Sequence, residues 1–202
     1  MRLHAAAVPA VLLACVFVSR AAPLREVNGN TLVSGSDPAA TLVVHESFAY
    51  VGGQTIDILK VAGAEQHFFV DAAADRSIRR FYWFQFEHYY PDNSHAYDYP
   101  KIEQTSVALG RLAFTGDVRV RKDYFTMDKR PGSDSLAAAD FLRARGFKLD
   151  GTFVTLRLFH LPDDTRRREL MIIYGEVLPA GAPEDRARSE ITARAQANLT
   201  VH

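Results

Sequence analysis

The stretch FYWFQFEHYYPDNSHAYDYP, residues 81–100, decides how this chain folds. Nine of its twenty residues are Phe, Tyr or Trp, and two more are His. Its first half is rich in residues that favour strands, whereas the Pro-Asp-Asn that follows is typical of a turn. The stretch therefore predicts a long strand over residues 78–90 that runs into a loop bearing aromatic rings.

Residues 81–90 divide into two faces, because successive side chains on a strand point to opposite sides. One face is almost entirely apolar, and we expect it to point into the core; it carries Tyr82, Phe84, Phe86, His88 and Tyr90. The other face, which we call the mixed face, carries Phe81, Trp83, Gln85, Glu87 and Tyr89. Its two large rings, amide, carboxylate and phenol predict that it projects away from the apolar interior.

The mixed face has two interpretations. In the first, its polar side chains face water, its rings pack beneath helices, and any contact between Glu87 and Arg157 is a structural ion pair, as on many half-exposed antiparallel sheets. In the second, it lines a pocket for a small molecule, since aromatic walls with a few convergent polar groups are typical of binding sites. The predicted ligand-binding residues are then Trp83, Gln85, Glu87 and Arg157, closed over by Tyr97 on the loop that also bears His95 and Tyr99.

Two β-rich runs precede the aromatic stretch. Residues 41–50 and 54–61 flank Gly52 and Gly53, and strand formers on both sides of a glycine pair are typical of a hairpin. A short strand over residues 67–71 then precedes the long one.

Further strands follow the stretch. Residues 107–125 predict two strands, and 152–161 and 169–178 predict a hairpin around a polar turn. If that turn is symmetric, Leu156 faces Tyr174 and Leu158 faces Ile172 across the hairpin.

Two segments have the features of helices. Residues 134–146 are rich in Ala and Leu, follow serine capping side chains and end at Gly146. Residues 183–198 begin with Pro-Glu-Asp, which suits the positive end of a helix. Because strands and helices do not alternate, the sequence predicts an α+β fold: a long, twisted, mainly antiparallel sheet with both helices packed on it in a single domain over residues 39–202.

The N-terminus has the order of a secretory signal. A charged start, an apolar run and small residues predict a signal peptide over residues 1–21, cleaved after Ala21. Residues 22–38 are rich in Asn, Gly, Ser and Pro and predict a flexible tether with at most a short strand near 31–33. We therefore expect secretion or a periplasmic location, with lipoprotein anchoring through Cys15 as the lesser alternative.

Composition excludes several classes of protein. The 202 residues include 24 basic and 24 acidic ones, and loss of the signal removes Arg2 and Arg20. The mature chain then lacks the positive charge of a general nucleic-acid binder. Cys15, the single cysteine, leaves with the signal, so the mature domain is expected to be cysteine-free, and the apolar run is too short for a transmembrane span.

Catalytic chemistry has weak support in the sequence. Glu87, His95 and Asp98 are the candidates for an acid-base or metal site, but Glu87 and His88 point to opposite faces of their strand and cannot share one ion. We expect neither a metal nor a cofactor. The expected function is a non-catalytic binding or accessory module of the cell envelope, with a small-molecule ligand or an envelope protein partner; the alternatives are a hydrolase-like enzyme and an interaction subunit whose mixed face another chain covers.

Overall fold

The aromatic stretch lies at the centre of a seven-stranded antiparallel sheet. A computed structural model of the chain describes residues 25–99, 105–126 and 128–202. The described residues form two helices and eleven strands, which make antiparallel sheets of seven and four strands. This single sheet-rich α+β domain confirms the predicted fold class.

The elements are numbered along the chain. The strands are β1 (Glu26–Asn28), β2 (Thr31–Ser34), β3 (Ala40–Val44), β4 (Ala49–Ile58), β5 (Ala62–Ala72), β6 (Ile78–Tyr89), β7 (Thr105–Leu109), β8 (Leu112–Lys122), β9 (Thr152–His160), β10 (Arg168–Val177) and β11 (Leu199–Val201). The helices are α1 (Asp134–Ala144) and α2 (Glu184–Ala197), and a 3₁₀ turn covers Tyr124–Thr126.

The large sheet has the strand order β4-β5-β6-β10-β9-β8-β7, and the small sheet has the order β1-β2-β3-β11. In the hairpin of β9 and β10, Leu156 lies opposite Tyr174 and Leu158 opposite Ile172, which confirms the predicted register. The other edge of β10 pairs with β6. The aromatic strand is therefore a central strand with a neighbour on each side.

Both faces of the large sheet are covered, and a separate apolar core lies beneath each cover. The first core lies between the large sheet, the small sheet and α2, and includes Leu32, Leu42, Tyr82, Phe84, Leu156, Ile172 and Ile191. The second core lies between the large sheet, α1 and the 3₁₀ turn, and includes Phe68, Phe81, Trp83, Phe125, Leu142 and Phe153. The two helices thus pack on opposite faces of the sheet.

The ends of α1 follow the signals in the sequence. The Ser133 hydroxyl accepts a hydrogen bond from the Leu136 N–H at 3.3 Å, which caps the first turn. Gly146 has a φ of +78°, and its N–H donates to the Arg143 carbonyl at 2.8 Å, as at many helix C-termini. Both helices lie where the sequence predicts them, and their ends differ from the prediction by two residues at most.

The predicted hairpin around Gly52 and Gly53 is wrong. β4 runs through both glycines with a bulge between Tyr50 and Gly52. The chain reverses at Leu59 and Lys60, whose φ values of 50° and 61° are those of a tight hairpin turn. Leu and Lys are not the residues that normally mark such a turn, so the sequence pattern does not reveal it.

The two glycines allow neighbouring side chains to pack closely against β4. Gly52 has a φ of +114°, and a Cβ on it would lie 3.2 Å from the side chains of Phe141 and Arg145. A Cβ on Gly53 would lie only 2.8 Å from His67 Nδ1. The pair therefore lets β4 approach α1 on one side and a buried histidine on the other.

The prediction of a flexible tether over residues 22–38 is wrong for its described part, 25–38. β1 and β2 pair with each other, and β2 continues the small sheet onto β3. Leu32 is fully buried in the first core. This segment folds because its short strands complete the cover of that core.

The predicted signal over residues 1–21, with Cys15 and the cleavage after Ala21, lies outside the described residues. Among the residues that are described, no helix is long and apolar enough to cross a membrane.

Candidate functional site

The mixed face of β6 is not open. Trp83 is 1 % exposed and Gln85 is fully buried, whereas Glu87 keeps partial access to solvent. The prediction that this face projects away from the apolar interior is therefore wrong for Trp83 and Gln85. The physical reason is that α1 packs on this face and seals it with the second core. The rings do pack beneath a helix, as the first interpretation expects.

Three buried glutamines cross the sheet beneath α1, and we call them the amide ladder. Gln54 Nε2 donates to Gln66 Oε1 at 2.7 Å, and Gln66 Nε2 donates to Gln85 Oε1 at 2.8 Å. Gln85 Nε2 in turn donates to Glu87 Oε2 at 2.6 Å. Backbone carbonyls at the start of α1 accept further hydrogen bonds from Gln54 and Gln66 at 3.0 and 3.2 Å. The ladder therefore fixes α1 on the sheet and satisfies amides that would be costly to bury alone.

The ladder ends at two carboxylates, Glu87 and Glu169, which we call the glutamate pair. They lie directly opposite each other on β6 and β10. The Tyr97 hydroxyl donates to Glu87 Oε1 at 2.7 Å, and the Tyr99 hydroxyl donates to the Glu169 carboxylate. The Tyr99 ring stacks on Phe159 with centroids 4.0 Å apart. The loop bearing Tyr97 therefore contacts the mixed face at Glu87.

Burial dominates the electrostatics of the glutamate pair. It raises the pKa of the Glu169 carboxyl to about 8, against the opposing hydrogen bond from Tyr99 and with a further contribution from nearby Glu87. Burial also raises the pKa of Glu87, while hydrogen bonds from Tyr97 and Gln85 act in the opposite direction. Two close carboxylates in a low-dielectric site disfavour double ionisation, so the pair holds a proton at neutral pH.

The predicted catalytic trio is not gathered into one group. Glu87 is bound to Tyr97 and Gln85, as described above, whereas the Asp98 carboxylate is 86 % exposed and pairs with Arg166 at 2.9 Å. His95 is exposed, and its ring packs on Tyr89 with centroids 5.6 Å apart. The three side chains therefore have separate partners.

Arg157 also differs from its predicted surroundings. Its guanidinium Nε donates to Asp117 Oδ1 at 2.8 Å, because β9 pairs with β8 and places these two residues opposite each other. The ion pair with Glu87 that the sequence suggested is replaced by this one.

Sequence reasoning missed Glu169 as a partner of Glu87. The register of β10 against β9 could be derived from their turn, but nothing in the sequence shows that β10 also pairs with β6. Asp117 was missed as the partner of Arg157 for the same reason, since strand order depends on tertiary packing.

A cleft of about 590 Å³ opens at the end of β6. Its walls come from the N-terminal segment, the end of β6 and the turn between β9 and β10. Prominent side chains of this cleft are those of Arg25, Phe86, His88, Tyr89, Arg167 and Arg168. Glu87 also lines the cleft, so the glutamate pair lies beside it.

Arginine side chains hold the walls of the cleft together. Arg25 pairs with Glu65 at 3.0 Å, and its guanidinium lies 4.2 Å from the centroid of the Phe86 ring. Arg167 donates to the carbonyls of His95 and Tyr90 at 2.7 and 2.6 Å, which fastens the loop after β6 to the turn. These contacts of Arg25 and Arg167 therefore tie the segments that form the cleft to one another.

Among residues 25–99, 105–126 and 128–202, no group of three or more His, Cys, Asp or Glu side chains is placed to hold a metal ion. Comparisons with protein-family models, with curated proteins and with solved structures find no match to this chain.

Proposed function

We propose that this chain is a non-catalytic binding or accessory module of the cell envelope, secreted or periplasmic, and that its ligand binds in the cleft. The cleft carries the proposal, because its volume of about 590 Å³ lies within the range of small-molecule sites. The envelope location is supported by the signal-like order of the first residues of the sequence.

The chemistry of the walls supports binding. The half-buried Tyr89 offers ring surface, while His88 and the arginines offer hydrogen-bond donors in the lining. Rings with a few convergent polar groups give a small molecule both contact area and orientation. The cleft replaces the mixed face as the proposed site, since α1 fills the space in which a ligand would contact Trp83 and Gln85.

The two alternatives receive less support from the geometry. A hydrolase built on Glu87, His95 and Asp98 would need these groups to act on one substrate, yet each has a different partner. An interaction subunit would need an open apolar face, and the large apolar side chains exposed among the described residues are Val33 and Leu59.

The test is a titration of the full chain, isotopically labelled, with acetate, inorganic phosphate, glucose and glycine, followed by ¹H–¹⁵N NMR. We expect at least one probe to shift the amide signals of residues 36–37, 86–89 and 163–168. Ser36→Trp, which places a large side chain in the cleft, should abolish these shifts, whereas Gln196→Trp on the exposed side of α2 should leave them unchanged. A panel that shifts no cleft residue, or shifts that survive Ser36→Trp, would contradict the proposal.

A further inference from the structure

Two basic side chains in the cleft have unused hydrogen-bonding groups. Arg168 and His88 lie directly opposite each other on β10 and β6. Side chains at such positions have Cβ atoms about 5 Å apart and point to the same side of the sheet. One ligand group can therefore contact both.

The Arg168 guanidinium and the His88 ring have polar atoms without a protein partner among the described residues. Arg168 Nη1 donates to Asp37 Oδ1 at 2.8 Å, and its side chain is 51 % exposed. Its other guanidinium N–H groups have no acceptor among the described residues. The exposed His88 ring packs edge-on against Tyr90 with centroids 6.0 Å apart, and no hydrogen bond to its nitrogens forms within the described part of the chain. These groups face solvent, where a ligand in the cleft can reach them.

Two arginines act on the His88 ring. Burial, then Arg168 and Arg25, lower the pKa of His88, while Asp37 acts in the opposite direction. The two arginines thus act as positive charges at the position of the ring, and the Arg25 guanidinium lies over Phe86 on the same face of β6.

We propose that the cleft binds its ligand through an oxyanion, a carboxylate or a phosphate, which the Arg168 guanidinium holds beside His88. The planar fork of an arginine matches two oxygens of such a group. The inference rests on the proposed function of the cleft and names the chemical class of its ligand.

Substitution of Asp37 should change the affinity for an anion in the direction opposite to substitution of Arg168. Its carboxylate occupies one N–H of Arg168 and repels an incoming anion. Asp37 has a φ of 56°, which Asn also tolerates. Asp37→Asn therefore removes the competing charge with little change in backbone preference, and it should tighten anion binding where Arg168→Gln weakens it.

The experiment measures the Kd of inorganic phosphate and of acetate by NMR titration of the full chain at low ionic strength, where charge effects are largest. Arg168→Gln should weaken binding of the better anion about tenfold, and Asp37→Asn should tighten it about threefold. Arg166 and Asp98 form a comparable exposed ion pair at 2.9 Å outside the cleft lining. Arg166→Gln and Asp98→Asn change the net charge identically and should each alter the Kd by less than about twofold.

The outcomes separate the two proposals. If glucose or glycine shifts the cleft signals and neither anion does, the oxyanion inference is overturned while the binding function stands. If the control pair alters the Kd as much as the Arg168 and Asp37 variants do, binding depends on net charge and the assigned site is wrong. If no probe shifts the cleft signals, both proposals fail.

Discussion

Replacement of Glu169 by Gln should change how the stability of this protein depends on pH. Glu169 is 2 % exposed, and its pKa is raised from the ordinary value of 4.5 to about 8. A carboxyl with a raised pKa in the folded state contributes stability that is fully present below pH 4.5 and is lost as the pH rises through 8. A pKa change of this size corresponds to roughly 5 kcal/mol, which is an upper limit because the two carboxylates titrate together.

The assay is urea denaturation at about pH 5 and about pH 9, with the midpoint and slope giving the free energy of unfolding. Trp83 is the single tryptophan and is buried, so its fluorescence reports unfolding. The wild type should lose several kcal/mol between the two pH values. Glu169→Gln retains an oxygen that accepts the Tyr99 hydrogen bond, and it should lose far less and be the more stable protein at pH 9.

The control is Asp140→Asn, which removes a carboxylate whose side chain is 65 % exposed on α1. At about pH 9 it changes the net charge as Glu169→Gln does, and it should leave the pH dependence of the wild type intact. Equal pH dependence in the wild type and Glu169→Gln would refute the reasoning, because the raised pKa would then have no source in the buried pair.

Three further substitutions test the packing around the site. Gly53→Ala should lower the free energy of unfolding by about 1–3 kcal/mol, because its Cβ would lie 2.8 Å from His67 Nδ1. The control Gly35→Ala, with no atom within 4 Å of the added carbon, should cost little. Equal melting temperatures of the two variants would contradict this prediction. Gln66→Leu should cost about 2–4 kcal/mol by removing the hydrogen bonds that Gln66 makes with Gln54 and Gln85. A stabilised variant in urea denaturation would show that the ladder does not hold α1. Ser133→Ala should cost about 1 kcal/mol through loss of the helix cap, measured as a lower thermal midpoint, and an unchanged midpoint would mean that the 3.3 Å bond contributes nothing.

The parts of the fold that sequence reasoning predicted are those governed by neighbours along the chain. Serine and glycine mark the ends of α1 because capping involves groups within one turn. The register of β9 against β10 follows from a short connecting turn. The hairpin predicted at Gly52 and Gly53 was wrong because contacts distant in sequence decide the role of these glycines. They leave room for the side chains of Phe141 and His67.

In the candidate site too, the sequence predicted contacts between residues near in the chain and missed those made by the pairing of distant strands. The sequence linked Glu87 to Tyr97 because a short loop joins them, and the hydrogen bond between them exists at 2.7 Å. It did not link Glu87 to Glu169 or His88 to Arg168, which are brought together by the pairing of β6 with β10. These two strands are separated by three strands and a helix along the chain.

By itself, the sequence determined an antiparallel α+β domain, the positions of both helices and the alternation of side chains along the aromatic strand, because local backbone preferences and the two-residue period of a strand are properties of contiguous residues. Only the tertiary structure decided that this strand is central, that α1 seals its mixed face and that two carboxylates and two basic side chains meet across β6 and β10. Such pairings depend on which surfaces bury the most apolar area together, and no single segment of the chain contains that information.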